Sequence, residues 1–261
     1  LDAIHARADA RQWLIGALPD FVYFDAYALI AGELNLTMYQ PAGSNDDIEQ
    51  GQRLFALACE LSGVDLARLS SLNPSDSAAV TERGRMIDEA SMRMTEAVAR
   101  IWHQRDVKAN FLLDGPTLRI HVSDSIETRS VPLDHRSMGF RSFYSFYVLF
   151  EAQASGVLEN AVLLLDEPGQ SLHGLAQQDL VHLMIDLSKR NQIIYTTHSP
   201  FMLDRDSIDN VCVVEATSAG SGVADSLWAA DSDNSFAVQT ALGFDIAQTF
   251  FGHDKHCRRH F

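Results

Sequence analysis

Two neighbouring acids, Asp166 and Glu167, close an apolar run at 161–165 (AVLLL), and Pro168 follows them. Such a run reads as a buried strand that delivers both carboxylates to the edge of a sheet. There the first acid can hold Mg2+ through its water shell, and the second can orient or deprotonate an attacking water. Phosphoryl transfer needs these two services side by side. A second apolar run at 192–195 (QIIY) ends in Thr196, Thr197, His198 and Ser199. A histidine in that place can hydrogen-bond a γ-phosphate or the water beside it. The plain alternatives are a strand that ends in two solvated acids and a loop histidine satisfied by its neighbours. The succession of the two runs, with one helix between them, favours the chemical reading.

Two further groups belong to the same constellation. Ser171, Leu172 and His173 lie between the runs, just before the intervening helix. Arg136, Ser137, Met138 and Gly139 precede another helix, with Ser137 as the candidate N-cap. Free backbone N–H groups at that terminus, with a small glycine beside them, can bind an anion. An ordinary helix cap is the plain alternative.

These residues need two parallel strands joined by a helix, which place both polar ends on one edge of a sheet, where α/β proteins bind ligands. Upstream, residues 1–18 show helical spacing (Ile4, Ala8, Trp13, Leu14), and 21–29 opens as a buried strand. Residues 37–47 read as a loop. Helices follow at 48–62 and 78–104, the second with Val80, Ile87, Met94, Val98, Ile101 and Trp102 on one stripe. A hairpin is predicted around Asp114 and Gly115, with a further strand at 129–133. Residues 140–153 form a helix rich in rings (Phe140, Phe143, Tyr144, Phe146, Tyr147, Phe150), which core packing explains. After the central block come a hairpin, with strands at 210–215 and 223–228, and short helices at 235–242 and 245–251.

Composition sets the limits. The 261 residues carry 46% hydrophobic and 21% charged side chains, as a globular protein does. The formal net charge of −15 repels nucleic acid, so any DNA contact needs a local basic patch or other parts of a longer protein. Cys59, Cys212 and Cys257 form no disulfide framework, which suits a reducing cytoplasm. No run is long enough to span a membrane and no signal peptide is visible, so the expected location is cytoplasmic. The chain opens on Leu1 rather than Met, which reads as a fragment.

The motifs together resemble those of ABC-type ATPases. Asp166-Glu167-Pro168, Ser171-Leu172-His173 and Thr197-His198-Ser199-Pro200 look like a Walker B motif, a D-loop and an H-loop. The run at 192–204 (QIIYTTHSPFMLD) is similar to the overcoming-lysogenization-defect (OLD) family and to related RecF/SMC-like AAA-type ATPases. Arg136–Gly139 resembles the degenerate signature motif, and 236–251 resembles the segment that leads into a Toprim nuclease domain. The resemblance covers 111–251. It implies that Asp166 supports Mg2+, that Glu167 is the catalytic base and that His198 senses the γ-phosphate of ATP. Arg136, Ser137 and Gly139, with Ser171 and His173, would meet nucleotide across a head-to-head homodimer.

Two departures qualify this. None of the three lysines, Lys108, Lys189 and Lys255, follows a glycine, so the 261 residues hold no P-loop. No Toprim acids follow either, and the tail at 252–261 carries His253, His256, Cys257 and His260, which read as an altered end rather than a zinc site. The expected fold is α/β: the C-terminal lobe of an ABC-type P-loop ATPase, with a mainly parallel sheet, a β-hairpin and a helical insertion. Its expected parts are the start of the lobe at 1–35, a helical subdomain at 36–108, the ATPase lobe at 109–251 and a tail at 252–261. The expected function is Mg2+-dependent ATP hydrolysis as a dimer, coupled to DNA processing of the OLD nuclease, phage-defence or repair type, with DNA met by other parts of a longer protein. The fragment alone should be inactive. The alternative is a non-catalytic dimerisation or regulatory module that keeps the ATPase shape.

Overall fold

A computed structural model describes residues 18–24, 27–38, 47–154, 160–204, 206–217 and 220–224. The expected helix at 1–18, most of the loop at 37–47, the helices at 235–251 and the His/Cys tail lie outside the described residues.

The apolar runs do become parallel strands. β1 (Phe21–Phe24), β6 (Val162–Leu165) and β7 (Gln192–Tyr195) form a three-stranded sheet in the order β1-β6-β7, parallel throughout. β6 is central and nearly all buried, as an unbroken VLLL run requires. Among the described residues β1 and β7 are the edge strands, and they alternate between exposed and half-buried residues. The expectation of a buried strand at Phe21 is therefore corrected: Phe21 and Tyr23 are exposed, as is Ile194 in β7. The register places Tyr23, Leu164 and Ile194 in one row, so these residues share one face of the sheet.

The opposite face meets α4 (Met138–Ala154), where the predicted aromatic helix packs its rings. Phe150 is fully buried, and its ring lies 5.0 Å from Phe24 and 4.2 Å from Phe146. At the other end of α4, Phe143 and Phe140 flank Trp102 at 4.9 and 5.2 Å. Burial of large rings in a chain of contacts supplies much of the apolar area that holds these layers together.

Trp102 caps the long α3 (Ser77–Ile101), which starts at the N-cap Asp76 and buries Ala79, Ile87, Ala90, Met94 and Val98. Val80 is exposed, and Ala79 takes the inward place in the first turn. α3 packs on β3 (Val107–Asp114), which pairs with β4 (Thr117–Asp124) around the turn at Gly115, whose φ is +57°. β2 (Glu33–Asn35) and β5 (Val131–Pro132) complete this antiparallel sheet on β4. Among the described residues β3 is an edge strand, and α3 covers it with hydroxyls. Ala109 N donates to Thr95 Oγ1 at 3.0 Å, Thr95 Oγ1 donates to Ala109 O at 2.9 Å, and Phe111 N donates to Ser91 Oγ at 2.9 Å. Side-chain bonds of this kind close an edge that would otherwise invite another strand.

α1 (Asp47–Leu61) packs on α4, and the short α2 (Leu66–Ser71) is capped by Asp65. The described residues fall into two compact units divided after Thr196. The helices within 36–108 lie in the first unit, where they pack on β3 and α4. The second unit contains a capped 3-10 turn at Pro200–Met202 and the predicted hairpin, observed as β8 (Val213–Thr217) and β9 (Gly220–Ala224). Among the described residues no helix is long and apolar enough to cross a membrane.

Candidate active site

β6 delivers its two acids as the sequence predicts. The parallel ladder runs one step past the strand: Asp166 N donates to Phe24 O at 2.8 Å, and Thr196 N donates to Leu165 O at 3.0 Å. The end of β6 is therefore held on both sides, at Asp166 by β1 and at Leu165 by β7, while Asp166 stays exposed. Tyr27 adds a hydrogen bond from its hydroxyl to Asp166 O at 3.2 Å. Thr196 Oγ1 donates to Asp166 Oδ1 at 2.6 Å and accepts from Glu167 N at 3.0 Å.

Glu167 is half-buried and left-handed, with φ +47°. A residue with a Cβ meets a steric penalty in that region, of order 1–2 kcal/mol. Gly169 follows with φ +78°, and Leu172 N donates to Gly169 O at 2.9 Å. These two left-handed residues turn the chain sharply from the end of β6 into α5 (Gly174–Ser188). Gln177 on α5 secures the turn by donating to Gly169 O at 3.1 Å.

The terminus of α4 lies against the same turn. Ser137 is a true N-cap: its hydroxyl accepts from Phe140 N at 3.3 Å, and Arg141 N donates to its carbonyl at 3.1 Å. A Cβ at Gly139 would lie 3.3 Å from Ser171 O and 3.6 Å from Leu172 Cδ2. A side chain there would press on the 169–172 turn, which would have to give by a few tenths of an ångström. Arg136 is paired with the buried Asp124 and sits 5.6 Å from the centre of the Phe140 ring. Asp124 also accepts from Ile126 N at 2.8 Å and Glu127 N at 2.7 Å. Burial alone would push the Asp124 carboxyl up, but Arg136 and the two N–H groups hold it down at about 2.

Against this geometry the family comparison is informative. The family described as “AAA domain, putative AbiEii toxin, Type IV TA system” matches residues 66–204, more than half of the chain. That span contains α3, the hairpin, the capped α4 terminus, both acids and His198. The chain belongs to this AAA-domain family. An uncharacterized protein of Methanocaldococcus jannaschii is 28% identical over 116 residues, covering 43% of this chain and 30% of the relative. The match thus spans under a third of that protein's length. A structure concerned with ATP-driven dimerization and DNA-stimulated activation of SMC ATPases aligns with a TM-score of 0.43 at 16% identity, over 62% of this chain and 96% of the other. The SMC head domain of Thermotoga maritima aligns with a TM-score of 0.37 at 17% identity, over 50% of this chain and 44% of the other.

The AAA domain therefore groups its expected site residues as follows. Asp166 and Glu167 sit together at the carboxyl edge of the parallel sheet. Ser137, Gly139 and Ser171 sit together where α4 meets the turn. His173 is the exposed N-cap of α5, without a side-chain capping bond. His198 belongs to the second unit and follows Thr196 by two residues along the chain. Among the described residues no group of three or more His, Cys, Asp or Glu could hold a metal ion. Two adjacent carboxylates suit Mg2+, which commonly keeps several waters and takes its other ligands from phosphates. The motifs alone give Thr196, Tyr27 and Asp124 no role. The sequence does hold a signal for Thr196: two parallel strands of equal length, each followed by a polar residue, place Asp166 and Thr196 side by side.

Proposed function

We propose that this AAA domain carries the water-activating and metal-supporting part of an ATP-hydrolysing site. The observation that carries the reading is the Asp166–Thr196–Glu167 arrangement at the carboxyl edge of a parallel sheet, where α/β proteins place ligands. Mg2+, when bound, supplies neutralisation of phosphate charge. Asp166 stands ready to support it through water, because its carboxylate is exposed and its orientation is fixed. Glu167 takes a proton from the attacking water as general base, one residue further along the turn. His198 is assigned the γ-phosphate contact on family resemblance and chain position.

The α4 terminus is the second working surface. Ser137 and Gly139 meet nucleotide bound to the opposite subunit of a head-to-head homodimer, with Ser171 and His173 at the junction. Arg136 serves that surface through its pair with Asp124, which fixes the chain just before the cap. The phosphate cradle is supplied from outside the 261 residues, since they contain no Gly-Lys pair. The wider setting is DNA processing of the OLD type, in phage defence or repair within the cytoplasm; toxin–antitoxin systems, named in the family description, are a further setting. DNA is met by other parts of a longer protein.

The missing P-loop lysine favours a second reading, in which the domain is a non-catalytic dimerisation or regulatory module. The two readings separate on Glu167→Gln in the complete protein. The ATPase reading expects turnover to fall by about 100-fold or more while nucleotide is still bound, in the range seen when a catalytic base is removed. Unchanged turnover in Glu167→Gln would remove the assignment.

A further inference from the structure

The Thr196 hydroxyl sits between the two acids and bonds to both. Its polarity is fixed by its partners. The Glu167 N–H can only donate, so the oxygen accepts there at 3.0 Å. The hydroxyl's single proton is then directed to the carboxylate oxygen Oδ1 of Asp166, which accepts it at 2.6 Å. One side chain thus sets the direction of the Asp166 carboxylate, leaving Oδ2 to other partners, and pins the amide of a left-handed Glu167. The backbone at Thr196 is itself held by its bond to Leu165 O, so the hydroxyl is aimed by the β7 ladder.

Both hydrogen bonds lie in exposed surroundings. Bonds that water can replace add little to folding. Their effect falls on orientation instead, at the two residues read above as metal-supporting acid and base. We infer that Thr196 is a positioning residue: its hydroxyl holds Asp166 in a metal-supporting orientation and Glu167 in its left-handed turn. The inference rests on the proposed roles of those acids.

Valine has the branched shape of threonine without the hydroxyl, and serine keeps the hydroxyl without the methyl. The test uses the 261-residue chain, with Mn2+ as the probe and two readouts: amide hydrogen exchange at Glu167, and Mn2+ affinity from water-proton relaxation. Thr196→Val is expected to speed exchange of the Glu167 amide by about tenfold and to weaken Mn2+ binding several-fold, with the thermal midpoint unchanged. Thr196→Ser is expected to keep both near wild type. Wild-type exchange in Thr196→Val overturns the inference, as does an equal loss in Thr196→Ser. A Thr196→Val chain that fails to fold also overturns it, because the hydroxyl would then be a stability element. Asp166→Asn separates the underlying reading. If Mn2+ binding is absent from wild type, or survives that change, the metal role of Asp166 fails while the exchange readout still judges Thr196.

Discussion

Glu167 occupies a backbone conformation that most side chains avoid, and a glycine there would be relieved of the steric penalty. A carboxylate kept at such a position suggests a use for the carboxylate, since strain of this kind collects at working sites. The consequence is measurable in stability. Glu167→Gly should unfold in urea with about 1 kcal/mol more stability than Glu167→Ala, because alanine keeps the Cβ and loses the carboxylate. Equal stability of the two variants would mean that the turn is not strained. Asp124 gives a second prediction. Its carboxyl is held down from an ordinary 3.8 to about 2, which corresponds to about 2 kcal/mol. A depressed carboxyl stabilises the fold above its unfolded pKa, and that contribution is lost as pH falls through the folded value. Asp124→Asn should therefore be destabilised by about that amount at pH 7, with the gap to wild type closing as pH falls from about 4 toward 2 in urea titrations. The acids at 166 and 167 were legible in the sequence because an apolar run announces its own end. Asp124 was not, because nothing in a hairpin sequence shows that an arginine twelve residues later folds back onto it.

The element that ties the site together is α4. Its rings anchor one face of the parallel sheet through Phe150 and the end of α3 through Trp102, and its first turn abuts the 169–172 turn at Gly139. The aromatic content of α4 was visible in sequence, and so was its cap, since both depend on local chemistry. The close approach at Gly139 was read as space for an anion, whereas the structure fills part of that space with Ser171 O. A glycine shows only that something comes near, not what. Gly139→Val should therefore cost about 1–3 kcal/mol in urea unfolding by forcing these two elements apart. A variant as stable as wild type would show that the turn yields freely. The exposure of β1 is hidden from the sequence for a similar reason: an aromatic run looks buried until its neighbours are counted, and among the described residues β1 has a strand on one side only.

At the scale of the whole molecule, the fold class was legible because βαβ order and apolar runs determine a parallel sheet. The particular partners of the helices within 36–108, β3 and α4, were not, because they depend on contacts distant in sequence. On the proposed reading, the strongly acidic chain brings two adjacent acids and a capped helix terminus to an ATPase-type site but no lysine-bearing phosphate cradle. The central claim is that it holds one part of that site. Its most direct test is phosphate release from ATP by the 261-residue chain with Mg2+, measured beside its Glu167→Gln variant. The account predicts the same background rate from both. Turnover by the wild-type chain that Glu167→Gln abolishes would contradict it, because the 261 residues would then contain a complete site.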